Sequence, residues 1–457
     1  MMDHGIGPFL PIAISVGAAG LVFLVSHLKQ RRVEAAWRVA AAQLGLEVHA
    51  KTFLGMSSGR EIAGVIGGHR ILIDTFSRNS GKNSQAYTRF TLDGRGAFHE
   101  RMELKPESAW EGFKKVFAGE DIQLDDPTFD AAVNVQGPED AVVAALNERA
   151  RMAVLKLAAR RGEVKDGKVG VEVTGLVSDP ALMVSLVRTM VDAADALKVP
   201  GVVEALVRNA RSDPNPGVRR RNLEMLVKRD RNLPQTREVL QDALGDRSLD
   251  NRIYAASVLR KGDKVRSVLE SLFDSARALT DEQRGKVLQL LVECYPYSTV
   301  SGHVAKALDL PSEAMRIAAV KAAGNASDAA PLLARPDLAR TTEPALGAAL
   351  AEALGKAAGP GAEPMLLDLL ASDAVEVKTA AAKALARLGT VRSVERLLPL
   401  TQGLFADGSL KEAARGAIRG IQSRLGEVEA GGLSVVDEKA GEGGLSLGTG
   451  DKAKERG

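Results

Sequence analysis

The sequence predicts two kinds of fold in one chain: a small α+β domain, then an all-α, right-handed superhelical solenoid of about seven helix pairs. Three observations predict it. Residues 199–426 repeat themselves with a nearly constant step. Residues 45–178 switch to an apolar period of two, as half-buried strands do. Residues 5–28 carry no charge at all.

The repeat is read from a marker residue. Arg219 stands in Pro216-Gly-Val-Arg-Arg-Arg-Asn-Leu, and similar segments return at Arg252, Arg284, Arg316, Gly347, Lys378 and Lys411, in steps of 33, 32, 32, 31, 31 and 33 residues. Each marker opens an amphipathic helix, such as the one bearing Leu223, Leu226 and Val227. Second helices lie between, as at 236–244, 265–273 and 364–370. One such pair leaves an apolar stripe that only a neighbouring pair can bury, so the pairs must stack. Alanines crowd the later copies (Ala318, Ala319, Ala322, Ala323; Ala380, Ala381, Ala382, Ala384), which lets adjacent helices approach closely. Gly262, Gly324, Gly355 and Gly389 are expected to follow these helices as left-handed caps.

The segment Ser212-Asp-Pro-Asn-Pro-Gly-Val-Arg219 resembles the loop and second-helix entry of HEAT repeats, with Asp213 six residues before Arg219 and Asp246 six before Arg252. The resemblance covers about half the chain. It implies that Asp213, Arg219, Asp246 and Arg252 join neighbouring repeats in a ladder. The third to fifth units depart from it, with Ala278, Leu310 and Thr341 at the Asp position. HEAT-like stacks serve many roles, so the likeness speaks for fold and little for activity.

At the other end, Phe9–Val25 lies in a run long enough for a hydrocarbon core, which takes about 20 residues to cross. No Lys or Arg precedes it and no small-residue cleavage site follows, so it reads as an anchor rather than a removable leader. Lys29, Arg31 and Arg32 come directly after it. Positive charge stays on the cytoplasmic side, which predicts a single-pass protein of a bacterial inner membrane with its bulk in the cytoplasm. The alternative is an anchor with the bulk translocated.

Between anchor and repeats, 29–44 continues as a helix bearing Trp37 and stopping at Gly45. Residues 61–74 read as a hairpin turning at Gly67-Gly68, with further strands over 86–92, 98–104 and 133–136. The polar stretch 78–85 reads as a loop, 108–117 as a helix capped by Ser108, and 139–161 as one long helix. Residues 164–173 return as two strands over Asp166-Gly167, and 179–198 form a connecting helix. A Trp before Leu-Gly-Leu, a Gly-rich hairpin and Asp-Asp-Pro-Thr-Phe-Asp together loosely resemble an uncharacterised domain of bacterial membrane-anchored proteins. That resemblance implies no activity. The tail, 427–457, is Gly-rich and without period, and reads as disordered; Gly431-Gly-Leu-Ser recurs in it from Gly443.

Composition narrows function mainly by exclusion. A net charge of +3 does not by itself argue for nucleic acid, and the single cysteine, Cys294, allows neither an internal disulfide nor a cysteine-rich metal site. The six histidines have no ligand spacing. Asp121, Asp125, Asp126 and Asp130 lack the spacing of a calcium loop and read as a capped turn. No nucleophile elbow, phosphate loop or dinucleotide fingerprint occurs, so no catalytic, cofactor-binding or metal residue is assigned, and no small-molecule substrate. What stands out is a basic patch: Arg208, Arg211, Arg219, Arg220, Arg221, Lys228, Arg229 and Arg231 within 199–231. It fits anionic lipid headgroups, nucleic acid, or simply a solvated face with ladder arginines. No aromatic residue interleaves, which counts against a single-strand stacking platform, and nucleic acid is not the partner expected. The function expected is a membrane-anchored scaffold whose solenoid binds a partner protein. The alternatives are a helical-repeat enzyme of lyase or DNA-repair type, or binding of anionic lipid or nucleic acid through the basic first repeat.

Overall fold

A computed structural model describes residues 31–53, 56–80, 83–107, 121–275, 279–357, 359–402, 407–426, 434–435 and 445–446. The expected span 5–28 and the expected helix 108–117 lie outside the described residues. Among those described, no helix is long and apolar enough to cross a membrane. The chain forms two compact units, Met1–Asp242 and Ala243–Gly457.

The first unit is built on an antiparallel sheet. Helix α1 (residues 31–44) leads to β1 (Glu47–Phe53), β2 (Met56–Ile66), β3 (His69–Ser80) and β4 (Asn83–Asp93). Then come β5 (Glu103–Pro106), α2 (Pro127–Asp130), β6 (Val133–Gln136), α3 (Glu139–Ala145), α4 (Glu148–Ala159), β7 (Glu163–Lys165) and β8 (Lys168–Thr174). The strand order is β1-β2-β3-β4-β8-β7-β5-β6. Alternation puts Ile71, Ile73, Phe90, Leu92, Val169 and Val171 on one buried face. Helix α5 (Pro180–Ala196) packs on β4 and β8, and the buried Trp37 of α1 donates from Nε1 to Val177 O at 3.0 Å.

Three expectations are corrected in this unit, and one strand is added. Strand β1 has no counterpart in the sequence reading. The loop expected over 78–85 belongs largely to the hairpin: Arg78 pairs with Gln85 and Ser80 with Asn83. Arg78, Asn79, Ser84 and Gln85 are exposed, and Arg78 lies over the stacked rings of Phe76 and Tyr87 while bonding Glu172 at 2.7 Å. The strand expected over 98–104 shrinks to β5, because the chain turns where Met102 N donates to His99 O. The long helix over 139–161 breaks at Asn147, whose side chain caps α4 through Ala150 N at 3.1 Å.

Helices α6 (Val202–Ser212), α7 (Pro216–Asp230) and all but the last residue of α8 (Pro234–Ala243) complete the first unit, so the first repeat sits with the sheet.

The second unit is a two-layered stack. One layer is α9 (Leu249–Leu259), α11 (Asp281–Cys294), α13 (Glu313–Asn325), α15 (Pro344–Ala357), α17 (Val375–Leu388) and α19 (Gly408–Gly426), each packed on the next. The other holds α10 (Asp263–Asp274), α12 (Tyr297–Leu308), the short α14 (Ala330–Leu333) with the 3-10 turn Pro336–Arg340, α16 (Glu363–Leu370) and α18 (Val391–Leu397). The sequence period reappears as bonds between residues one repeat apart. Arg260 with Glu293, Gln283 with Asp250, and Tyr295 with Gly262 O are each separated by 33 residues. Gly324 and Gly355 are not left-handed caps. They lie inside α13 and α15, where a Cβ would stand 2.8 Å from Ala353 Cα and 2.8 Å from Ala384 Cβ. Glycine is needed there for helix-on-helix approach. Gly262 does have a positive φ, +130°, whereas Gly389 ends α17 at −66°. In the tail, Ser434–Val435 pairs with Leu445–Ser446, which joins the two Gly-Leu-Ser copies.

Candidate functional site

Arg151 of α4 organises the larger polar cluster. It is buried and donates from Nη1 and Nη2 to both carboxylate oxygens of Asp213 at 2.9 and 3.0 Å, from Nε to Asp126 at 2.8 Å, and from Nη1 to Leu146 O at 3.0 Å. Burial alone would lower the basicity of this guanidinium; the Asp213 hydrogen bonds and the two carboxylate charges outweigh it and hold it charged. Asp213 also accepts from Asn215 N at 3.0 Å, and Asn215 in turn caps α7 through Gly217 N at 2.8 Å. Gly217 is obligatory because the Asp125 carbonyl oxygen would stand 2.2 Å from any Cβ placed there. A single arginine thus ties the acidic turn, α4 and the entry of the first repeat.

The acidic residues behave as a capped turn. Asp130 accepts from Leu124 N and Asp126 N at 3.1 and 3.0 Å, and Asp121 from Val135 N at 2.8 Å. Burial raises the affinity of both carboxyls for protons. Among the described residues no group of His, Cys, Asp and Glu has the geometry to hold a metal ion.

The basic patch is drawn into this same seam. Arg221 pairs with Glu139 at 2.5 Å and with Glu224 at 3.3 Å, Lys228 with Glu139 at 2.6 Å, Arg229 with Asp140, and Arg220 with Glu224 at 2.9 Å. Arg211 reaches Glu238 and Asp242 at 2.7 and 2.9 Å. Arg208 and Arg231 are exposed. Arg219 is buried and donates to Asp213 O at 2.8 Å. Asp213 gives its carboxylate to Arg151, outside the repeats. Arg252 donates to Leu244 O at 3.2 Å, and Asp246 accepts from Ser248 N at 2.7 Å. The sequence reading missed Arg151, Glu139 and Asp140. They had no motif; only the fold brings them against α7.

A second site lies in the second unit, where the ladder takes another form. Arg387 of α17 donates to Gly355 O at the end of α15, and Arg424 of α19 to Ala386 O and Gly389 O at the end of α17. Cations there satisfy the last carbonyls of the preceding helix. Above this ladder runs a groove of about 650 Å³. Its floor is the small residues Ala348, Gly355, Ala380 and Ala384; its rim carries Glu352, Lys356, Glu376, Thr379 and Lys383. The close approach of the helices keeps the floor low, and charges of both signs stand along it.

Residues 335–419 match the family model for HEAT repeats. The HEAT stretch therefore runs from the 3-10 turn Pro336–Arg340 into α19 and contains all of the groove lining. No curated protein matches the chain in sequence. Among solved structures, human deoxyhypusine hydroxylase in complex with glycerol is 15% identical, with 48% of this chain and 96% of that chain covered, at a TM-score of 0.21. An engineered protein is 16% identical, with 67% and 87% covered, at a TM-score of 0.33. Neither likeness is close enough to say anything of activity.

Proposed function

We propose that the chain is a protein-interaction scaffold whose partner seats in the groove over α15 and α17, and that residues 5–28 tether it to the cytoplasmic face of a membrane. One observation carries the first half: the groove lies on HEAT-matched helices, with a low apolar floor and a rim of alternating charge. Such a surface takes a partner's side chains on the floor and reads their order through the rim. Tethering raises the partner's local concentration at the membrane. The tether rests on the charge-free run 5–28 and the cations Lys29, Arg31 and Arg32 after it.

The test is affinity capture with the full chain and with a charge-swapped form, Glu376→Lys with Lys383→Glu. The expected result is a protein captured reproducibly by the native chain and lost from the swapped one. Equal capture by both removes the groove as the site.

A further inference from the structure

We infer that Glu139 and Asp140 act as a built-in competitor that shields the cationic flank of α7 from anionic lipid headgroups. Helix α3 is held in place by other means. Val142, Val143, Ala144 and Ala145 are fully buried, and Asn209 Nδ2 donates to Ala144 O at 2.9 Å. Two of the three pairs its carboxylates make add little to that hold, because the side chains of Lys228 and Arg229 are 70% and 49% exposed; the pair of Glu139 with Arg221, 29% and 24% exposed, is the more sheltered one. What Glu139 and Asp140 also do is offset two of the three positive charges they face, Glu139 being shared by Arg221 and Lys228 and Asp140 pairing with Arg229. Arg221 and Lys228 stand seven residues apart, two helical turns, on one side of α7. A row of cations on a surface helix attracts phosphate, each contributing modestly, and carboxylates set against the row weaken that attraction. Phosphate oxygens can replace those carboxylates while α3 stays seated on its apolar side. The choice of lipid over other phosphates rests on the tether proposed above; the absence of interleaved aromatic residues speaks against single-stranded nucleic acid only, and duplex is left to the test.

The experiment follows acylation of the Lys228 amine, read by mass spectrometry, in the full chain and in the Glu139→Gln, Asp140→Asn variant. Each is mixed with vesicles of phosphatidylcholine alone or of phosphatidylcholine with phosphatidylglycerol. In the variant, Lys228 should be protected by roughly tenfold or more on the phosphatidylglycerol vesicles relative to the neutral ones, and high salt should abolish the difference. In the native chain the ratio should be several-fold smaller. Equal labelling of the variant on both vesicles, or a native chain protected as fully as the variant, overturns the inference. So does displacement of the variant by duplex DNA at equal phosphate, which would reassign the face to nucleic acid. The single Glu139→Gln form carries the same test with a smaller expected ratio if the double variant folds poorly. Because the ratio is taken between two vesicle types, failure of the native chain to float with neutral vesicles would count against the tether alone.

Discussion

At the scale of single residues, the account turns on two buried charges. Arg151 holds Asp213 and Asp126, and removing it strands the buried carboxylate of Asp213 away from water and takes a partner from the half-buried Asp126. Arg151→Met should therefore lower the unfolding free energy by about 3–5 kcal/mol, measured by urea titration of the first unit's transition. A loss below ~1 kcal/mol would show that water satisfies Asp213. Glu363, at the start of α16, accepts from Thr390 N and Thr390 Oγ1 at 2.8 and 2.9 Å and from Ser393 Oγ. Burial pushes its carboxyl toward the neutral form, but the hydrogen bonds from Ser393 and Thr390 outweigh it, so its pKa lies below the usual glutamate value. A depressed carboxyl contributes stability that is present above the unfolded value, ~4.3, and is lost as pH falls through the folded one. The stability gap between native and Glu363→Gln should then be widest near neutrality and close as pH drops below about 4. A gap constant with pH would mean the anion is not what matters at this position.

At the scale of elements, the contrast among glycines is the sharpest. Gly355 and Gly416 both lie within helices of the stack, α15 and α19, yet a Cβ at Gly355 meets Ala384 at 2.8 Å and one at Gly416 meets nothing within 4 Å. Gly416→Ala should stabilise by roughly 0.5–1 kcal/mol through helix propensity. Gly355→Ala should destabilise by about 1–3 kcal/mol despite the same propensity gain, because α17 must move. Thermal melts of the two variants should move in opposite directions. Equal shifts would mean that α15 and α17 are not in this close contact. The same glycines show what was legible in sequence. Marker residues returning every 31–33 positions from Arg219 to Lys411, with amphipathic helices behind them, were enough to predict stacked helix pairs, with Gly324 and Gly355 read as their caps. Their role was misread because a glycine near a predicted helix end looks alike whether it caps or packs. The break at Asn147 was hidden by a continuous apolar pattern on either side. The hairpin arms around Arg78 looked like loop because both are polar, and their register depends on aromatic and ion-pair contacts between strands.

At the scale of the whole molecule, the repeat pattern was readable and the sites were not. Every repeat needs its own apolar stripe, so the stripe recurs and can be counted. The seam around Arg151 is made once, by residues drawn from a sheet domain and a repeat some sixty positions apart in the chain, and it has no period to betray it. The eight basic residues looked like one surface in sequence. In the fold most are paired with carboxylates, chiefly Glu139, Asp140 and Glu224, and one is buried. The groove over α15 and α17 escaped notice because its floor is alanine and glycine, residues that sequence reading assigns to packing.

The scaffold reading is tested most directly by a photo-crosslinking residue placed at Thr379, on the groove rim, with a second at the exposed Lys156 of α4 as control. The account predicts one recurrent crosslinked protein from position 379 in living cells, absent from position 156 and abolished by the Glu376→Lys, Lys383→Glu swap. No recurrent product at 379, or the same products from both positions, would contradict it.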